Sequence, residues 1–388
     1  MIARLLRLRI RPLAIVLLTS AACTAAPSGS GVGAERTIET ETGEIRVETV
    51  VGGLDHPWGQ TFLPDGRMLV TERPGRLRLV DGGRLSPPLS GVPKVNPRGQ
   101  GGLLDVALDP DFESNRLVYL CYAEPGDGGA STAVGRGRLD PDAGGLSGFE
   151  AIYRQTPKVG GGNHFGCRLA FAPDGTLFLT SGERFEFEPA QDLSSGLGKI
   201  FRINPDGSVP ADNPFVGRDD AQPAIWSYGH RNVQGAAINP ESGALWAHEF
   251  GPRGGDELNI AEAGRNYGWP LVSWGRHYSG VDIPDPPTRP DLAPSIYHWT
   301  DAISPSGMTF YTGTLFPEWR GNVLIGGLTA TGIVRLSRAG DKITGEEQID
   351  LGERIRNVRQ GPDGAVYALT DQSGGEILRL SPAAGQMQ

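Results

Sequence analysis

The chain repeats one pattern of apolar and polar positions six times. Each copy starts with a turn signal, usually Pro-Asp-Gly or a close variant, and continues as a run in which apolar and polar residues alternate. Proline and glycine supply the turn angles, and alternation directs one face of each run toward a core, so every copy predicts a β-hairpin. The copies are FLPDGRMLVTE from Phe62, LDPDFESNRLVYLCY from Leu108, FAPDGTLFLTSGE from Phe171, INPESGALWAHEFG from Ile238, FYTGTLFPEWRGNVLIGGL from Phe310 and GPDGAVYALTDQSGGEILRL from Gly361.

Several copies continue into a further strand, predicted in GRLRLVD, GKIFRINPDG, GIVRLSR and GEILRLS. A unit of this size cannot cover the faces of its own sheet, so repeated units pack against their neighbours. We therefore predict an all-β fold, a six-bladed β-propeller, as a single domain over residues 45–383. The connecting segments are longest in the middle of the chain. Extended inter-strand loops are expected to gather at one mouth of the central channel, where ligands bind.

The first residues have a different character from the repeats. Four arginines and no acidic residue precede a short apolar run: Arg4, Arg7, Arg9 and Arg11. The apolar run is too short to span a bilayer, and it predicts a signal peptide over residues 1–26 and export to the periplasm. Cleavage before Cys23 would instead give a lipoprotein, attached to the membrane only through that residue. Residues 27–44 are predicted to be a flexible tether.

Charge and cysteine content narrow the partners and the compartment. The formal net charge is −9, and removal of the basic signal makes the mature chain more acidic, which argues against nucleic acid and anionic membrane as partners. Cys121 and Cys167 both lie in strand-like runs. After export they could form a disulfide or remain two separate buried thiols, and the sequence leaves both outcomes open. Of these two outcomes, we predict the disulfide.

Polar clusters in the predicted loops carry the candidate chemistry. His164 follows a run of glycines and is either a structural histidine or a base over an open site. Arg354 and Arg356 share one face of a predicted strand, and with Arg231 from another loop they favour a ligand with several carboxylates over a solvated strand end. The segment HEFGPRGGDE offers backbone carbonyls and two carboxylates, which suits Ca²⁺ but also fits an ordinary acidic loop.

Six segments in this order resemble a known family. They are GQGGLLDVALDPDF, GGNHFG, WSYGHRNVQG, EFGPRGGDELN, NYGWPLVSWGRHYSG and RIRNVRQGPDG. They resemble the soluble aldose sugar dehydrogenases of the pyrroloquinoline quinone (PQQ)-dependent glucose and sorbosone dehydrogenase family. The resemblance extends from about Val47 to Ser381, nearly all of the mature chain.

The resemblance implies a six-bladed propeller enzyme that oxidises aldoses at C1 to the lactone. Hydride passes to Ca²⁺-activated PQQ and then to an external acceptor, which is a quinone, a cytochrome or a dye. His164 matches the family's catalytic base. Gly251 and Pro252 match the carbonyls that hold the catalytic Ca²⁺, and Glu257 and the Tyr267 carbonyl match a second Ca²⁺ site. The positions matching contacts to PQQ are Gln100, Arg231, Asn232, Tyr278, Arg354 and Arg356.

Two departures from the family pattern bear on the site. Asn163 stands where glucose-specialised relatives carry Asp, which weakens the case for a charged group that orients the His164 imidazole and fits the aldose branch better. Thr329 stands where many relatives carry Lys, so one cationic contact to PQQ is expected to be lost.

Two other classes remain as alternatives. One is a Ca²⁺-dependent propeller lactonase or esterase, and the other is a non-catalytic binding propeller of the cell envelope. The lactonase would need several inward-facing carboxylates or amides, whereas the predicted inward set is rich in arginine. The binding propeller would not need Gln100, His164, Arg231 and Arg354 to converge. The sequence does not decide between a monomer and a homodimer.

Overall fold

The structure, a computed structural model, describes residues 33–383. The described residues form six antiparallel sheets arranged as the blades of a propeller. The predicted fold is confirmed. The predicted signal peptide of residues 1–26, with Cys23, lies outside the described residues. Among the helices of the described part, none has both the length and the apolar character needed to cross a membrane.

Each blade has its first strand on the central channel and later strands farther out. Blade 1 contains β3 (Pro57–Phe62), β4 (Met68–Glu72), β5 (Arg76–Asp81) and β6 (Arg84–Leu85). Blade 2 contains β7 (Leu103–Leu108), β8 (Leu117–Gly126), β9 (Gly129–Asp140) and β10 (Gly145–Arg154). Blade 3 contains β11 (Leu169–Phe171), β12 (Leu177–Thr180), β13 (Lys199–Ile203) and β14 (Ile225–Tyr228).

The remaining blades follow the same order. Blade 4 contains β15 (Val233–Ile238), β16 (Leu245–Glu249), β17 (Asp256–Ile260) and β18 (Tyr297–Trp299). Blade 5 contains β19 (Pro305–Phe310), β20 (Val323–Gly327), β21 (Gly332–Ala339) and β22 (Lys342–Asp350). Blade 6 contains β23 (Ile355–Gln360), β24 (Val366–Thr370) and β25 (Ser373–Pro382), together with β1 (Glu35–Thr40) and β2 (Gly43–Asp55). The short helices are α1 (Phe112–Asn115) and the 3-10 turns Glu188–Ala190, Pro286–Thr288 and Pro317–Trp319.

The two chain ends close the ring in blade 6. Strand β2 pairs with β25 in a register that places Val47 opposite Leu380, and β1 covers the outer edge of β2. The predicted tether of residues 27–44 is therefore wrong for residues 35–44, which form β1, the turn after it and the start of β2. The cause is the composition of an edge strand: β1 alternates exposed and half-buried positions, and its Glu and Thr side chains resemble those of a linker.

The six repeat copies are the hairpins between the first and second strands of each blade. In three of them the turn has the same hydrogen bonds, and a glycine in the left-handed region completes it: Gly66 donates its N–H to Leu63, Gly175 to Ala172, and Gly364 to Gly361. These turns lie at the channel end that we call the lower mouth. The longer loops lead to the opposite end, the upper mouth.

A disulfide joins Cys121 of β8 to Cys167, just before β11, with a Cα–Cα distance of 5.6 Å. The predicted pairing is confirmed. Both cysteines are fully buried in an apolar cluster between blades 2 and 3 that includes Tyr119, Phe165 and Phe201. A cross-link of this kind typically adds about 2–4 kcal/mol to the free energy of unfolding.

Polar contacts link the inner strands around the channel at one level. The residues at this level, one on or next to each inner strand, are Gly59, Asp105, Arg168, Gly235, Gly307 and Asn357, and we call them the polar ring. Arg168 donates to the Asp105 carboxylate at 3.0 Å and, through Nε, to the backbone carbonyl of Gln234 at 3.0 Å. Asn357 donates to the Trp58 carbonyl at 3.3 Å, which connects blade 6 to blade 1.

The glycines of the polar ring make room for side chains from neighbouring strands. A Cβ on Gly235 would lie 1.8 Å from Nε2 of His248, which is fully buried and hydrogen-bonded to the Ser306 carbonyl at 2.6 Å. A Cβ on Gly307 would lie 2.6 Å from the Asn357 amide oxygen. Blades 4, 5 and 6 can therefore approach one another only because these positions lack side chains.

We expect Gly235→Ala to lower the free energy of unfolding by about 1–3 kcal/mol, because the methyl group overlaps the buried His248 ring. Gly345→Ala is the matched control: its added Cβ would meet nothing closer than Ser337 at 3.7 Å, and a change within about 1 kcal/mol is expected. Denaturant unfolding of both variants measures the difference. If the two variants were equally stable, the polar ring would tolerate the added methyl group at Gly235.

Candidate functional site

A cavity of about 330 Å³ opens at the upper mouth of the channel. All but two of the predicted site residues line it: Gln100, His164, Arg231, Asn232, Gly251, Pro252, Tyr278, Arg354 and Arg356. They come from loops and strand ends of separate blades, so the propeller brings together positions that are far apart in sequence. The two exceptions, Glu257 and Tyr267, line a smaller neighbouring cavity.

His164 is held from two sides. It adopts a left-handed backbone with φ of 52°, its backbone N–H donates to the Gln100 side-chain oxygen at 2.9 Å, and its side chain is almost fully buried. Its Nδ1 lies 2.5 Å from Oε1 of the buried Glu183. The hydrogen bond places the imidazole proton on Nδ1, and Nε2 has no partner among the described residues. Nε2 is therefore the nitrogen available to accept a proton.

Glu183 supplies the charged partner of this imidazole, against which Asn163 had argued. Glu183 comes from the loop after β12 and takes the orienting role that Asn163 cannot. Burial lowers the pKa of His164, and the positive charge of Arg231 lowers it further. The hydrogen bond to Glu183 acts in the opposite direction and raises this pKa. The imidazole is therefore neutral at neutral pH.

An aromatic segment forms the rim of the cavity beside His164. Arg184, Phe185 and Phe187 all have left-handed backbones, an arrangement that L-residues adopt only under local constraint. The Phe185 ring is edge-on to His164 at 5.2 Å and lies against Tyr278 at 6.3 Å, and both aromatic side chains are exposed. The second oxygen of Glu183 accepts from the Phe187 N–H at 3.1 Å, so one carboxylate holds both the imidazole and the rim.

The cavity contains more positive than negative charge. Four arginines line it against two carboxylates: Arg73, Arg231, Arg354 and Arg356 against Asp256 and Asp371. Asp371 accepts hydrogen bonds from Arg354 and Arg356. Burial raises the pKa of Asp371, but these two arginines outweigh burial and hold the pKa below its ordinary value.

Two of the arginines have unused donors. The buried Nε atoms of Arg73 and Arg231 have no hydrogen-bond partner among the described residues. Burial lowers the pKa of Arg73, and repulsion from Arg356 adds to the effect. An anion with several carboxylates would compensate the positive charge of the arginines that line the cavity and relieve the repulsion between Arg73 and Arg356, so PQQ fits this cavity.

The segment after β16 brings oxygen atoms to the cavity wall. The Asp256 carboxylate accepts from the backbone N–H groups of Gly251 at 2.9 Å and Ser304 at 2.8 Å, and burial raises its pKa to about 6. The Gly251 carbonyl accepts from Arg231 at 2.8 Å. Carbonyl and carboxylate oxygens are the donor set that Ca²⁺ prefers. Within residues 33–383, no group of three or more His, Cys, Asp and Glu side chains is arranged to hold a metal ion; the ligands predicted at Gly251 and Pro252 are backbone carbonyls.

The neighbouring cavity brings Glu257 and Tyr267 together with Glu249. Its volume is about 10 Å³, enough for one water molecule or one ion. Burial raises the pKa of Glu257 well above its ordinary value, and the nearby Glu249 carboxylate raises it further. Two carboxylates beside a cavity of this size fit a bound cation.

Ser227, His230 and Glu249 form a hydrogen-bonded chain of the kind found in serine hydrolases. The Ser227 hydroxyl lies 2.8 Å from Nε2 of His230, whose Nδ1 lies 2.8 Å from Glu249. Ser227 and His230 are fully buried, so no substrate reaches this hydroxyl. The other Glu249 oxygen accepts from the Arg231 backbone N–H at 2.5 Å, and the chain therefore positions Arg231.

The residues that sequence reasoning missed share one location. Arg73 follows β4, Glu183 lies just beyond β12, and Asp371 follows β24. In every blade the second strand runs back toward the upper mouth, so residues at its end reach the cavity. The repeat copies already marked those ends in VTE, LTSGE and ALTD, and this periodicity could have identified them.

Comparison with known proteins shows the family of this chain. The sequence profile of the family described as Glucose / Sorbosone dehydrogenase matches residues 54–379. Aldose sugar dehydrogenase YliI of Escherichia coli (strain K12) is 49% identical over 347 residues, which cover 87% of this chain and 93% of that protein.

Two solved structures share the fold at substantial sequence identity. The apo form of the soluble aldose sugar dehydrogenase of Escherichia coli is 48% identical with a TM-score of 0.83, over 87% of this chain and 99% of that one. The PQQ-bound aldose sugar dehydrogenase of Streptomyces coelicolor is 31% identical with a TM-score of 0.72, over 87% of this chain and 98% of that one. The chain belongs to the glucose/sorbosone dehydrogenase family.

Proposed function

We propose that this protein oxidises aldose sugars at C1 to the lactone, with PQQ as the resident electron acceptor and Ca²⁺ bound beside it. One observation carries the proposal. A neutral imidazole, His164, has Nδ1 held by Glu183 and Nε2 free, at the edge of a cavity with unpaired arginine donors. The relatives named as aldose sugar dehydrogenases, one of them PQQ-bound, support the same reaction.

The chain supplies a binding residue for each part of the cofactor set. The carboxylates of PQQ would meet the arginines, with Gln100, Asn232 and Tyr278 as neutral contacts; Ca²⁺ would lie at the Gly251 and Pro252 carbonyls. Glu257 and Tyr267 would hold a second Ca²⁺ at the smaller cavity. When bound, PQQ supplies a two-electron acceptor and Ca²⁺ supplies Lewis acidity.

His164 would act as the general base. Its Nε2 accepts the proton of the anomeric hydroxyl, and the Glu183 carboxylate stabilises the imidazolium that forms. Because the pKa of His164 is lowered, the base is deprotonated at neutral pH and is lost only as the pH falls through that lowered pKa. The Phe185 ring packs edge-on against the His164 ring, and Tyr278 lies against Phe185, so these two aromatic side chains would form an apolar rim beside the base.

Arg73 would compensate for the lysine that Thr329 replaces. The Thr329 hydroxyl donates to the Ala302 carbonyl at 2.7 Å, and Thr329 does not line the upper cavity. Arg73 does line it, and one of its guanidinium nitrogens donates to the Gly99 carbonyl at 2.9 Å, so its positive charge lies beside the cavity. A cationic contact to PQQ is therefore provided by another blade.

The proposal also covers the location of the enzyme and the acceptor of its electrons. The predicted signal peptide implies a periplasmic enzyme, with a lipid anchor if Cys23 is acylated, and electrons would leave to an external quinone, cytochrome or dye. The lactonase alternative requires several carboxylates or amides that converge on one metal. Of the two carboxylates in the upper cavity, Asp371 is paired with Arg354 and Arg356, and the four arginines favour an anionic ligand.

Addition of PQQ and Ca²⁺ to the purified mature protein should produce aldose-dependent reduction of a redox dye, because the cavity supplies the anion-binding groups and the base. The measurement is dye reduction with a panel of sugars, with NAD alone as the control. Sugar oxidation with NAD and none with PQQ would refute the proposal. Lactone hydrolysis with Ca²⁺ alone would favour the lactonase alternative.

His164→Ala should lower kcat by about 10²–10⁴-fold while PQQ still binds, because the loss of a general base affects the chemical step. Arg356→Ala should weaken PQQ binding by about tenfold or more, since a charged hydrogen bond is lost and Asp371 is left to repel the cofactor. PQQ titration by absorbance and kinetics at saturating PQQ separate the two effects, with the exposed Arg84→Ala as the control. A near-normal kcat for His164→Ala would make His164 a structural residue.

Glu183→Gln should lower kcat by roughly 10²-fold or more, because the amide can stabilise the wrong imidazole tautomer. It also removes the contact that raises the pKa of His164, so the acid limb of the kcat profile should move to lower pH. Glu186→Gln, an exposed change in the same segment, is the control. If Glu183→Gln changed neither kcat nor the pH profile, Glu183 would not orient the base.

A further inference from the structure

A second cavity, of about 480 Å³, lies at the lower mouth of the channel, and we call it the lower chamber. The same inner strands line both the upper cavity and the lower chamber. On β3, Trp58 lines the upper cavity and Phe62 the lower chamber; on β23, Arg356 lines the upper cavity and Arg359 the lower chamber. The polar ring lies between them, so the lower chamber is separate from the proposed PQQ site.

The wall of the lower chamber is mainly apolar. Five of the six inner strands end there with an apolar residue: Phe62, Leu108, Phe171, Ile238 and Phe310. All but the last of these are half-buried, so they leave apolar surface open to the chamber. A volume of this size and character is typical of sites that bind small organic molecules.

Arg359 is the single charged residue lining the lower chamber in the described part of the chain. Its guanidinium has no ion pair or hydrogen bond to any described residue, whereas Arg168 pairs with Asp105 and Arg356 with Asp371. The charge of Arg359 acts on the polar ring. Burial lowers the pKa of Arg168 to about 10, and repulsion from Arg359 contributes to this decrease, whereas the Asp105 carboxylate raises the pKa. The half-buried charge of Arg359 is therefore uncompensated.

We propose that the lower chamber binds an organic monocarboxylate with a compact apolar body. The carboxylate would pair with Arg359 through two parallel hydrogen bonds, and the apolar body would lie against the ring of strand ends. A single cation favours a single carboxylate, and the apolar wall favours an organic anion over phosphate or chloride. The site is independent of the proposed sugar oxidation, because it lies across the polar ring from His164.

Calorimetric titration with benzoate tests the proposal on the mature protein loaded with PQQ and Ca²⁺, so that the arginines of the upper cavity are occupied. Benzoate should bind at one site per chain. Benzyl alcohol, which is neutral and of similar shape, should bind at least about tenfold more weakly, as expected for the loss of a charged pair. The titration is repeated without cofactor, so the result stands even if PQQ does not bind.

Arg359→Gln should weaken benzoate at least about tenfold, and Arg359→Lys, which keeps the charge, should weaken it less. Arg84→Gln, the same charge change on an exposed outer strand, should leave binding unchanged. Any one of three results would overturn the proposal: equal affinity for benzoate and benzyl alcohol, no effect of Arg359→Gln on benzoate binding, or displacement of benzoate by equimolar chloride. In the cofactor-free protein, loss of binding on Arg354→Gln but not on Arg359→Gln would place benzoate in the upper cavity and would overturn it equally.

Discussion

The contact between Arg168 and Asp105 anchors the centre of the propeller. A guanidinium at this depth is costly unless its charge is compensated, and Asp105 supplies that compensation at 3.0 Å while also accepting the Leu169 N–H at 2.9 Å. The planar face of Arg168 lies 4.0 Å from the centre of the Trp58 ring. One buried cation therefore joins blades 1, 2 and 3, and Trp58 in turn forms part of the floor of the upper cavity. The position of the site depends on this arrangement.

The residues of the upper cavity belong to a few connected units. Glu183 links the imidazole of His164 to the aromatic rim, and Glu249 links the backbone of Arg231 to the buried His230. In each unit a carboxylate at or beyond the end of a second strand fixes a group that faces the cavity. The strands are rigid because they pair on both sides, so the side chains are oriented before any ligand arrives.

The fold followed from the repeat because each Pro-Asp-Gly turn and its alternating strand are local signals. The loop motifs also identified most of the cavity, including His164 and the arginines. Glu183, Arg73 and Asp371 were missed because the repeat marks the end of each second strand but does not show that these ends meet at one cavity, which happens only when the blades are assembled. Residues 35–44 were assigned to a tether because an edge strand exposes one polar face, and only its pairing with β2 distinguishes it from a linker.

The cross-link between Cys121 and Cys167 has a consequence for where the protein matures. Cys167 lies three residues after His164, so this bond fixes one end of the loop that carries the imidazole to a strand of the preceding blade. A chain that folds in a reducing cytoplasm would have the paired sheets but lack this restraint. Oxidation of this cysteine pair therefore completes the loop as well as the fold, and the redox state of the compartment in which the chain folds determines when the histidine is held in place.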